Sequence, residues 1–462
     1  MTSPDQPGGA PRPGDAADQW GERLPRRLGL LSAIAVLVGS TIGSGIFRVP
    51  ARIADAVPSP LPMLGVWVAG GLMALCGALT YAELAGMYPR SGGLYQYLKE
   101  GHGRGVAFLY GWSELLVIRA SSLGAISTVF AEYLLRLLGV ERPAEGYGLP
   151  VHLIAAGAIT ATAALNYVGL KWASAVVNLT SAAKFGALVL IFVGAFLLGR
   201  QTGSFAHFTE VGGPVQATSF GLSLVAVLWA YDGFADLARV GGEIRDPERN
   251  LPRGLILGTL SIIGVYLAAN VAYLYLIPVG EMRTSTLVAA DAAKAMVGDV
   301  GVGLVSLAVM VSTLGAVASV MLTSPRIFFA MADDRLFFHG LARVHPRFHT
   351  PSRAIVLTAV MAVGYVLFLD FETLSDTFIL ATWPFYALAA LSVFRLRNSR
   401  PDHPRPVRVI GYPVVPAVFV LAAILMLVNA LVDDAGRMAM AFGLIASGLP
   451  VYWVWWRGRR VP

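Results

Sequence analysis

Residues Val38–Pro50 read VGSTIGSGIFRVP and place three glycines and three hydroxyl residues inside an apolar span. Gly39, Gly43 and Gly45 weaken a helix there, because each glycine costs roughly 1 kcal/mol relative to alanine. Backbone groups left free at bilayer depth are tolerated only where they line a cavity or are buried in protein. A helix broken here directs the unpaired N–H groups of its second half at the gap, which favours a bound carboxylate. The alternative is a glycine-lined contact between helices, which needs one small face rather than small polar residues all round.

The composition indicates a polytopic membrane protein. Of 462 residues, 56% are hydrophobic and 14% charged, with a mean hydropathy of +0.65, whereas soluble domains contain about 25% charged residues. The net charge of +7 is compatible with nucleic-acid binding. The basic residues, however, fall in short loops between apolar spans, which is typical of a topology signal, so no nucleic-acid partner is expected. The single cysteine, Cys76, lies inside an apolar span and excludes an intrachain disulfide.

Apolar runs predict about twelve membrane spans in an all-α protein embedded in the lipid bilayer. The runs lie at 28–54, 61–88, 104–139, 150–166, 172–199, 217–240, 254–278, 300–332, 353–369, 374–395, 411–432 and 437–457. Residues 284–297 are expected to form a short interfacial helix before the eighth span. Residues 1–27, which are polar and rich in Pro and Gly, are expected to be a disordered tail.

The basic residues alternate between loops and so predict the topology. One set of alternate loops contains 24 arginines and lysines, and the opposite set contains eight. Those eight are Arg48, Arg52, Arg136, Arg142, Arg200, Arg283, Lys294 and Arg437. By the positive-inside rule both termini are expected to be cytoplasmic, in the cytoplasmic membrane.

The sixth span contains a counterpart of the broken first span. Residues Trp229–Glu243 read WAYDGFADLARVGGE and again place glycine and polar residues in an apolar run. Two interrupted helices, five spans apart and in opposite orientation, are typical of an inverted-repeat transporter. We therefore predict a first repeat at 28–199 and an inverted second repeat at 217–395. Two peripheral helices at 411–457 and a cytoplasmic tail at 458–462 would follow.

Six motifs, in order, resemble the amino acid–polyamine–organocation superfamily, and within it the L-type amino acid transporter family in its prokaryotic, stand-alone form. They are GSTIGSGIF (39–47), YAELAGMYPRSGGLYQYLKE (81–100), ELLVIRASS (114–122), NYVGLKWASAVVNLTSAAKF (166–185), LWAYDGFADLARVGGEIRDPERNLPRG (228–254) and LTSPRIFFAMADD (322–334). The resemblance implies a LeuT-type fold and transport of free amino acids by alternating access. Eukaryotic members are disulfide-linked to a glycoprotein through an extracellular cysteine; this chain has none, so no such heavy chain is expected.

The resemblance also implies a substrate site between the first and sixth spans. Backbone groups for the substrate's carboxylate and amine would come from Ile42, Gly43, Ser44 and Gly45. The unwound part of the sixth span, whose carbonyls would receive the ammonium, would consist of Ala230, Tyr231, Asp232 and Gly233.

Trp229 stands where the family has an aromatic gate over the substrate. The family usually has Trp at the position of Phe234 and often Asn at that of Ala235, and these departures bear on side-chain specificity.

Lys184 lies in the middle of the fifth span, where an unpaired charge is costly, so it is a functional-site hypothesis. In the resembled family this position lies near the sodium site of sodium-coupled relatives, and the ammonium would replace that ion in a sodium-independent exchanger. Alternatively, Lys184 would release its proton during the cycle of a proton-coupled symporter. A lysine that snorkels to the interface is the remaining interpretation.

Several other charged residues have more than one interpretation. Asp232 is either a partner for a cationic substrate group or the cap of a restarted half-helix. Glu114 and Arg119 are five residues apart, roughly 140° around an α-helix, so each is expected to bind a different partner in a structural role. Inner-gate ion pairs are expected among Glu83, Arg90, Glu243 and Arg245, with a solvated loop as the alternative.

Catalytic and metal-binding patterns are missing from the sequence. His339, His345 and His349 share a loop, but Pro346 disfavours a helix through them and no further ligand supports a metal site. Phosphate-binding and Ser/His/Asp motifs are also missing, so neither enzyme activity nor a cofactor is expected. A non-transporting amino acid sensor is the alternative of a different class. A sensor would usually have an added signalling domain, which neither terminal tail is expected to form.

Overall fold

A computed structural model describes residues 28–89, 92–140, 148–168, 186, 188–210, 213–342, 345–348 and 350–457. These ranges are helical, and their sole β-type pairing is an isolated bridge between Leu28 and Ile244. The helices are α1 Leu30–Thr41, α2 Gly45–Ala56, α3 Pro60–Met87, α4 Leu94–His102, α5 Arg104–Ser113, α6 Arg119–Leu137, α7 Leu149–Val168, α8 Leu188–Leu197, α9 Ala217–Tyr231, α10 Pro247–Leu276, α11 Val279–Met282, α12 Val288–Val297, α13 Asp299–Asp333, α14 Ser352–Phe368, α15 Phe371–Ser399, α16 Val414–Asp433, α17 Ala435–Ala446 and α18 Gly448–Arg457.

The first span is broken where the glycines predict it. Helix α1 ends at Thr41 and α2 begins at Gly45, and the two axes differ in direction by 48°. Ile42, between them, is extended (φ −70°, ψ 93°) and donates its N–H to the Val38 carbonyl as the last bond of α1. The break is therefore confirmed, and it separates two short half-helices.

The sixth span is also broken, at Asp232. Helix α9 ends at Tyr231, and Asp232 is extended (φ −63°, ψ 145°). Gly233 has φ +118°, which L side chains rarely adopt. The chain then resumes as a 3₁₀-helix over Asp236–Glu243. Glycine at this one position lets the backbone turn out of the α9 axis.

Each predicted span contains a helix. Within the described ranges, eight helical segments are long and apolar enough to cross a membrane, or nine if α1 and α2 form one broken span. The other three predicted spans contain the shorter apolar helices α8, α9 and α14. Helix α12 falls within residues 284–297, where a short helix was expected. The chain is thus an all-α, multi-pass membrane protein.

Buried aromatic residues pack around the two breaks. The Trp67 ring lies edge-on to those of Tyr231 and Tyr266, at centroid distances of 6.0 and 5.7 Å. On the other side of the sixth-span break, the Phe234 ring lies 5.3 Å from that of Tyr386 and 5.7 Å from that of Tyr81. Because lipid tails are as apolar as these side chains, such close packing is what holds membrane helices together.

The third span is interrupted by a π-helical turn over Glu114–Ile118. The Arg119 N–H donates to the Glu114 carbonyl, five residues back. The wider turn brings both side chains to one face, and the Glu114 carboxylate accepts from Arg119 Nε at 2.5 Å and from Nη2 at 3.1 Å. The expectation of separate partners is therefore wrong, because it assumed α-helical geometry.

Candidate substrate site

The two breaks contact each other backbone to backbone. A Cβ added to Gly45 would lie 2.5 Å from Ala230 Cα, and one added to Gly233 would lie 2.5 Å from Thr41 Oγ1 and 3.0 Å from Thr41 Cα. Real Cβ atoms do not come this close to such neighbours. Glycine at both positions therefore lets the first and sixth spans meet at their unwound segments.

Tyr266 of α10 bridges the two broken spans. Its buried hydroxyl lies 2.9 Å from the carbonyl oxygen of Thr41 and 3.0 Å from that of Ala230. Both carbonyls belong to the last turn of a helix, where the carbonyl oxygens receive no N–H from within the helix. Sequence reasoning missed Tyr266, although a hydroxyl-bearing ring in the middle of an apolar span was an available signal.

Gly43 lies in the first break and has no close neighbour outside its own segment. The nearest atom that a Cβ on Gly43 would meet, outside its immediate neighbours, is the Thr41 carbonyl oxygen at 3.8 Å. Ser40 is exposed, and Gly43 and Asp232 are partly exposed, whereas Ile42 and Ser44 are buried. The first N–H groups of α2 follow directly after Gly43 and Ser44, at the positive end of the helix dipole. The arrangement suits an anionic group.

The Asp232 carboxylate is hydrogen-bonded to a tyrosine of the tenth predicted span. The Tyr386 hydroxyl of α15 donates to Asp232 Oδ1 at 2.7 Å, and the Tyr386 carbonyl accepts from the Tyr81 hydroxyl at 2.8 Å. The cap position of the following 3₁₀-helix is occupied by Ala235 rather than Asp232. Asp232 thus lies in the break with its carboxylate bound to a tyrosine, which contradicts the helix-cap interpretation.

Trp229 lies against aromatic rings of α15. Its ring is edge-on to Phe378 at 5.1 Å and to Phe371 at 6.1 Å, and the residue is buried. The Arg48 guanidinium lies 5.4 Å from the centroid of the Phe371 ring. Trp229 therefore belongs to an aromatic layer between α9 and α15 that borders charged residues.

Those charged residues form an ionic cluster that joins α2 to α6 and α15. Arg48 pairs with Glu132 at 3.3 Å and with Glu372 at 2.9 Å. Arg52 binds both oxygens of Asp376 at 2.7 Å. Arg437 also pairs with Asp376, at 3.1 Å. Sequence reasoning used the arginines of α2 only for topology and missed the cluster, since its carboxylates lie in two other spans.

At the opposite end of the bundle, Glu83 is bound by arginines of α15 and of the segment after it. Its carboxylate contacts Arg397 at 2.9 and 2.5 Å and Arg405 at 3.4 Å, and accepts from the Val409 N–H at 2.8 Å. Arg245 is exposed, and its backbone N–H donates to the Leu28 carbonyl at 2.8 Å. The described partners of Glu83 thus differ from the expected ones.

Two of the expected inner-gate residues fall outside what the structure describes. Arg90 and the side chain of Glu243 are not among the described parts of the chain.

A second charged cluster ties α4 to the end of α13. Asp334 accepts from the Tyr95 hydroxyl at 2.6 Å and from Lys99 Nζ at 2.7 Å. Burial, together with the adjacent Asp334 carboxylate, raises the pKa of Tyr95 far above its ordinary value, so the phenol remains a donor. Gly93 (φ +49°) packs against the backbone of Ala238: a Cβ added to Gly93 would lie 3.2 Å from the Ala238 carbonyl carbon. This contact joins the start of α4 to the sixth span.

The buried Glu114 carboxylate links the third span to the sixth. Besides Arg119, it pairs with Arg239 at 3.3 Å, and Arg239 pairs with Asp236 at 3.0 Å. The Tyr110 hydroxyl also donates to Glu114. The 3₁₀ segment after the break is therefore anchored to the third span by charge.

The remaining predicted residues are partly outside the described ranges. Lys184, together with the side chains of His339 and His349, is outside them. His345 Nδ1 accepts from the backbone N–H groups of Arg347 and Phe348 at 3.2 and 3.3 Å. The described residues contain no group of three or more side chains placed to bind a metal ion.

Comparison with known proteins agrees with this geometry. The family model described as "Amino acid permease" matches residues 28–455. The serine/threonine exchanger SteT of Bacillus subtilis is 32% identical over 439 residues, which is 93% of this chain and 97% of that protein. The human b(0,+)-type amino acid transporter 1 is 31% identical over 437 residues, 93% of this chain and 88% of that protein.

A third relative also matches most of the chain. The human large neutral amino acids transporter small subunit 2 is 31% identical over 451 residues, 95% of this chain and 82% of that protein. The broken first and sixth spans agree with the LeuT-type fold expected for such transporters. The chain belongs to the amino acid permease family, within the amino acid–polyamine–organocation superfamily.

Proposed function

We propose that this protein exchanges amino acids across the cytoplasmic membrane by alternating access. The observation that supports this most is the contact between the two unwound segments, which places the partly exposed Gly43 and the first N–H groups of α2 beside the break in the sixth span. A substrate α-carboxylate would bind the backbone N–H groups of residues 43–45. No charged side chain is needed there, because the helix N-terminus supplies the positive potential.

The substrate ammonium would bind across the gap, at the unwound part of the sixth span. The Tyr231 carbonyl and the Asp232 carboxylate offer acceptors, while the Gly233 carbonyl already accepts from the Asp236 N–H and the Ala230 carbonyl from the Tyr266 hydroxyl. Phe234 faces Tyr386 and Tyr81. Asp232 leaves room for a cationic substrate side chain, which would compete with the Tyr386 hydroxyl for the carboxylate.

The proposed orientation places both termini in the cytoplasm, as the 24 to 8 bias of basic residues favours. Helix α2 then leads to the outside. Trp229, the phenylalanines of α15 and the ionic cluster around Arg48 and Arg52 would close the outer side, and Glu83 with its arginines would belong to the inner closure. No disulfide-linked partner is proposed, because Cys76 lies within α3.

Exchange rather than coupled uptake is supported by the similarity to SteT, whose name describes a serine/threonine exchanger. Sodium independence is proposed from Lys184, whose ammonium would occupy the cation position. The direct test uses purified protein in proteoliposomes, either empty or preloaded with unlabelled amino acid. Uptake of radiolabelled serine, threonine, leucine and arginine is measured with and without sodium and a pH gradient.

We expect uptake only into preloaded vesicles, with no effect of sodium or of the pH gradient. Uptake into empty vesicles that is driven by an inward proton gradient and lost in Lys184→Ala would replace exchange with proton symport. A sodium requirement would contradict the role proposed for Lys184. If no amino acid or polyamine is transported while binding persists, the protein is a sensor.

A further inference from the structure

An apolar groove lies between α7 and α14 on the surface of the helix bundle. It has a volume of about 540 Å³, within the range of small-molecule sites. Its walls are apolar apart from the hydroxyls of Thr160 and Tyr167. The lining residues used below are Ala163, Tyr167, Val168, Val356, Ala359 and Val360.

The groove exists because small side chains face each other across the two helices. Ala163 of α7 and Ala359 of α14 are too short to fill the gap between the backbones. Val360, Val356 and Val168 stand at its edges with relative exposures of 62%, 50% and 53%. Since α7 and α14 are membrane spans, this exposed apolar surface faces hydrocarbon rather than water.

One end of the groove is basic. The Tyr167 ring, which lines the groove, lies 5.7 Å from the ring of Phe348, and the exposed Arg347 guanidinium lies 5.4 Å from that same ring. The Tyr167 carbonyl accepts from Thr350 Oγ1 at 2.9 Å, which fixes this loop against α7. Arg353, also exposed, precedes the groove residue Val356 by one turn of α14.

We propose that the groove binds an anionic phospholipid, with an acyl chain along Ala163 and Ala359 and the phosphate at Arg347 and Arg353. The apolar walls match hydrocarbon, and the two guanidinium groups match a negative headgroup at the level where a tyrosine marks the interface. A groove of this volume suits a flexible chain better than a helix of 10–12 Å diameter. The proposal depends on the membrane location and not on the transported substrate.

The test measures thermal unfolding of the full-length purified protein in detergent with added phosphatidylglycerol or phosphatidylcholine. A ligand that binds the folded state raises the unfolding temperature. We expect phosphatidylglycerol to raise it more than phosphatidylcholine does. This extra shift should disappear in Arg347→Gln/Arg353→Gln and in Ala359→Phe, which fills the groove.

The control variants make the same types of substitution at exposed positions outside the groove. Arg249→Gln/Arg395→Gln removes two exposed arginines of α10 and α15, and Ala417→Phe adds the same ring to the exposed face of α16. Both should keep the shift. An equal shift in all variants would place the lipid elsewhere and overturn the proposal, and equal shifts from the two lipids would overturn the choice of an anionic headgroup.

A second measurement does not depend on the variants folding. Phosphatidylglycerol with a photoactivatable group in its acyl chain should crosslink the wild-type protein within 160–168 and 355–363. Crosslinks confined to other helices would contradict the proposal. A dimer that dissociates in Ala359→Phe would instead identify a second copy of this chain as the occupant.

Discussion

At Gly233 the absence of a side chain is required both by the backbone conformation and by the contact with Thr41. Its φ of +118° and the 2.5 Å approach of an added Cβ to Thr41 Oγ1 both exclude larger residues. A left-handed conformation costs an L-residue roughly 1–2 kcal/mol even without a clash. The residue therefore determines both the direction of the chain after α9 and the contact between the two breaks.

We predict that Gly233→Ala abolishes transport and lowers the unfolding temperature, because it adds backbone strain to a clash with Thr41. Gly264→Ala is the matched control, since that glycine lies within α10 and an added Cβ would meet nothing within 4 Å. Thermal unfolding and exchange in proteoliposomes are measured for both variants. Normal transport and an unchanged unfolding temperature in Gly233→Ala would contradict the requirement for glycine at this position.

Tyr266 is the second residue whose loss should be specific. We predict that Tyr266→Phe lowers stability by about 1–3 kcal/mol, the cost of leaving buried hydrogen-bonding groups unsatisfied, and slows exchange, because the Thr41 and Ala230 carbonyls lose their shared donor. Denaturant unfolding and exchange rates provide the measurement. Tyr365→Phe, a partly buried tyrosine on α14, is the control and should change neither.

At the scale of elements, the π-helical turn in the third span has a clear structural effect. By adding one residue to the turn, it places Arg119 beneath Glu114, and Arg239 and Tyr110 complete the cluster. A buried carboxylate without these partners would be strongly destabilising. The π-turn thus helps to join the third span to the sixth. In an unbroken α-helix the side chains of Glu114 and Arg119 would point to different neighbours.

Helix α2 is held to α15 by the charged contacts of Arg48 and Arg52, and this gives an element-scale prediction. Asp376→Asn should loosen α2 from α15, because Arg52 and Arg437 lose the carboxylate they share. Hydrogen bonds to charged groups contribute about 1.5–3 kcal/mol, so amide hydrogen exchange in residues 45–56 should rise by about tenfold or more. Hydrogen exchange read by mass spectrometry measures this.

The control for that experiment is Asp299→Asn. Its pair with Lys294 spans 3.9 Å, and the Asp299 side chain is 93% exposed, so solvent screening leaves it little energy to lose. Exchange in residues 45–56 should be unchanged in this variant. If Asp376→Asn also left it unchanged, the ionic cluster would have no part in holding α2.

For the whole molecule, the proposed orientation makes a prediction about accessibility. Cys76→Ser provides a cysteine-free chain, into which Gln201→Cys or Ser399→Cys is introduced; both positions are exposed. In intact cells a membrane-impermeant thiol reagent should label the cysteine at 201 and not the one at 399, because 201 lies in an outer loop and 399 at a cytoplasmic helix end. The reverse pattern would invert the topology.

The sequence by itself determined where the spans lie and where two of them break. Gly43 and Gly233 lie in the two breaks and Gly45 begins α2, whereas Gly39 remains helical within α1. The effect of a glycine on the backbone extends over a few residues, so the breaks can be predicted locally. The span positions follow from apolar runs whose length must match the bilayer. The short helix within 284–297 could likewise be predicted from its own residues.

Only the tertiary structure decided which charged and hydroxyl groups meet. Arg52 and Asp376 are 324 residues apart, Glu83 and Arg397 are 314 apart, and no local pattern pairs them. Glu114 and Arg119 are close in sequence, yet their pairing depends on a π-turn that residue spacing alone did not predict. Such contacts depend on how helices pack, and packing follows from the shapes of many side chains at once.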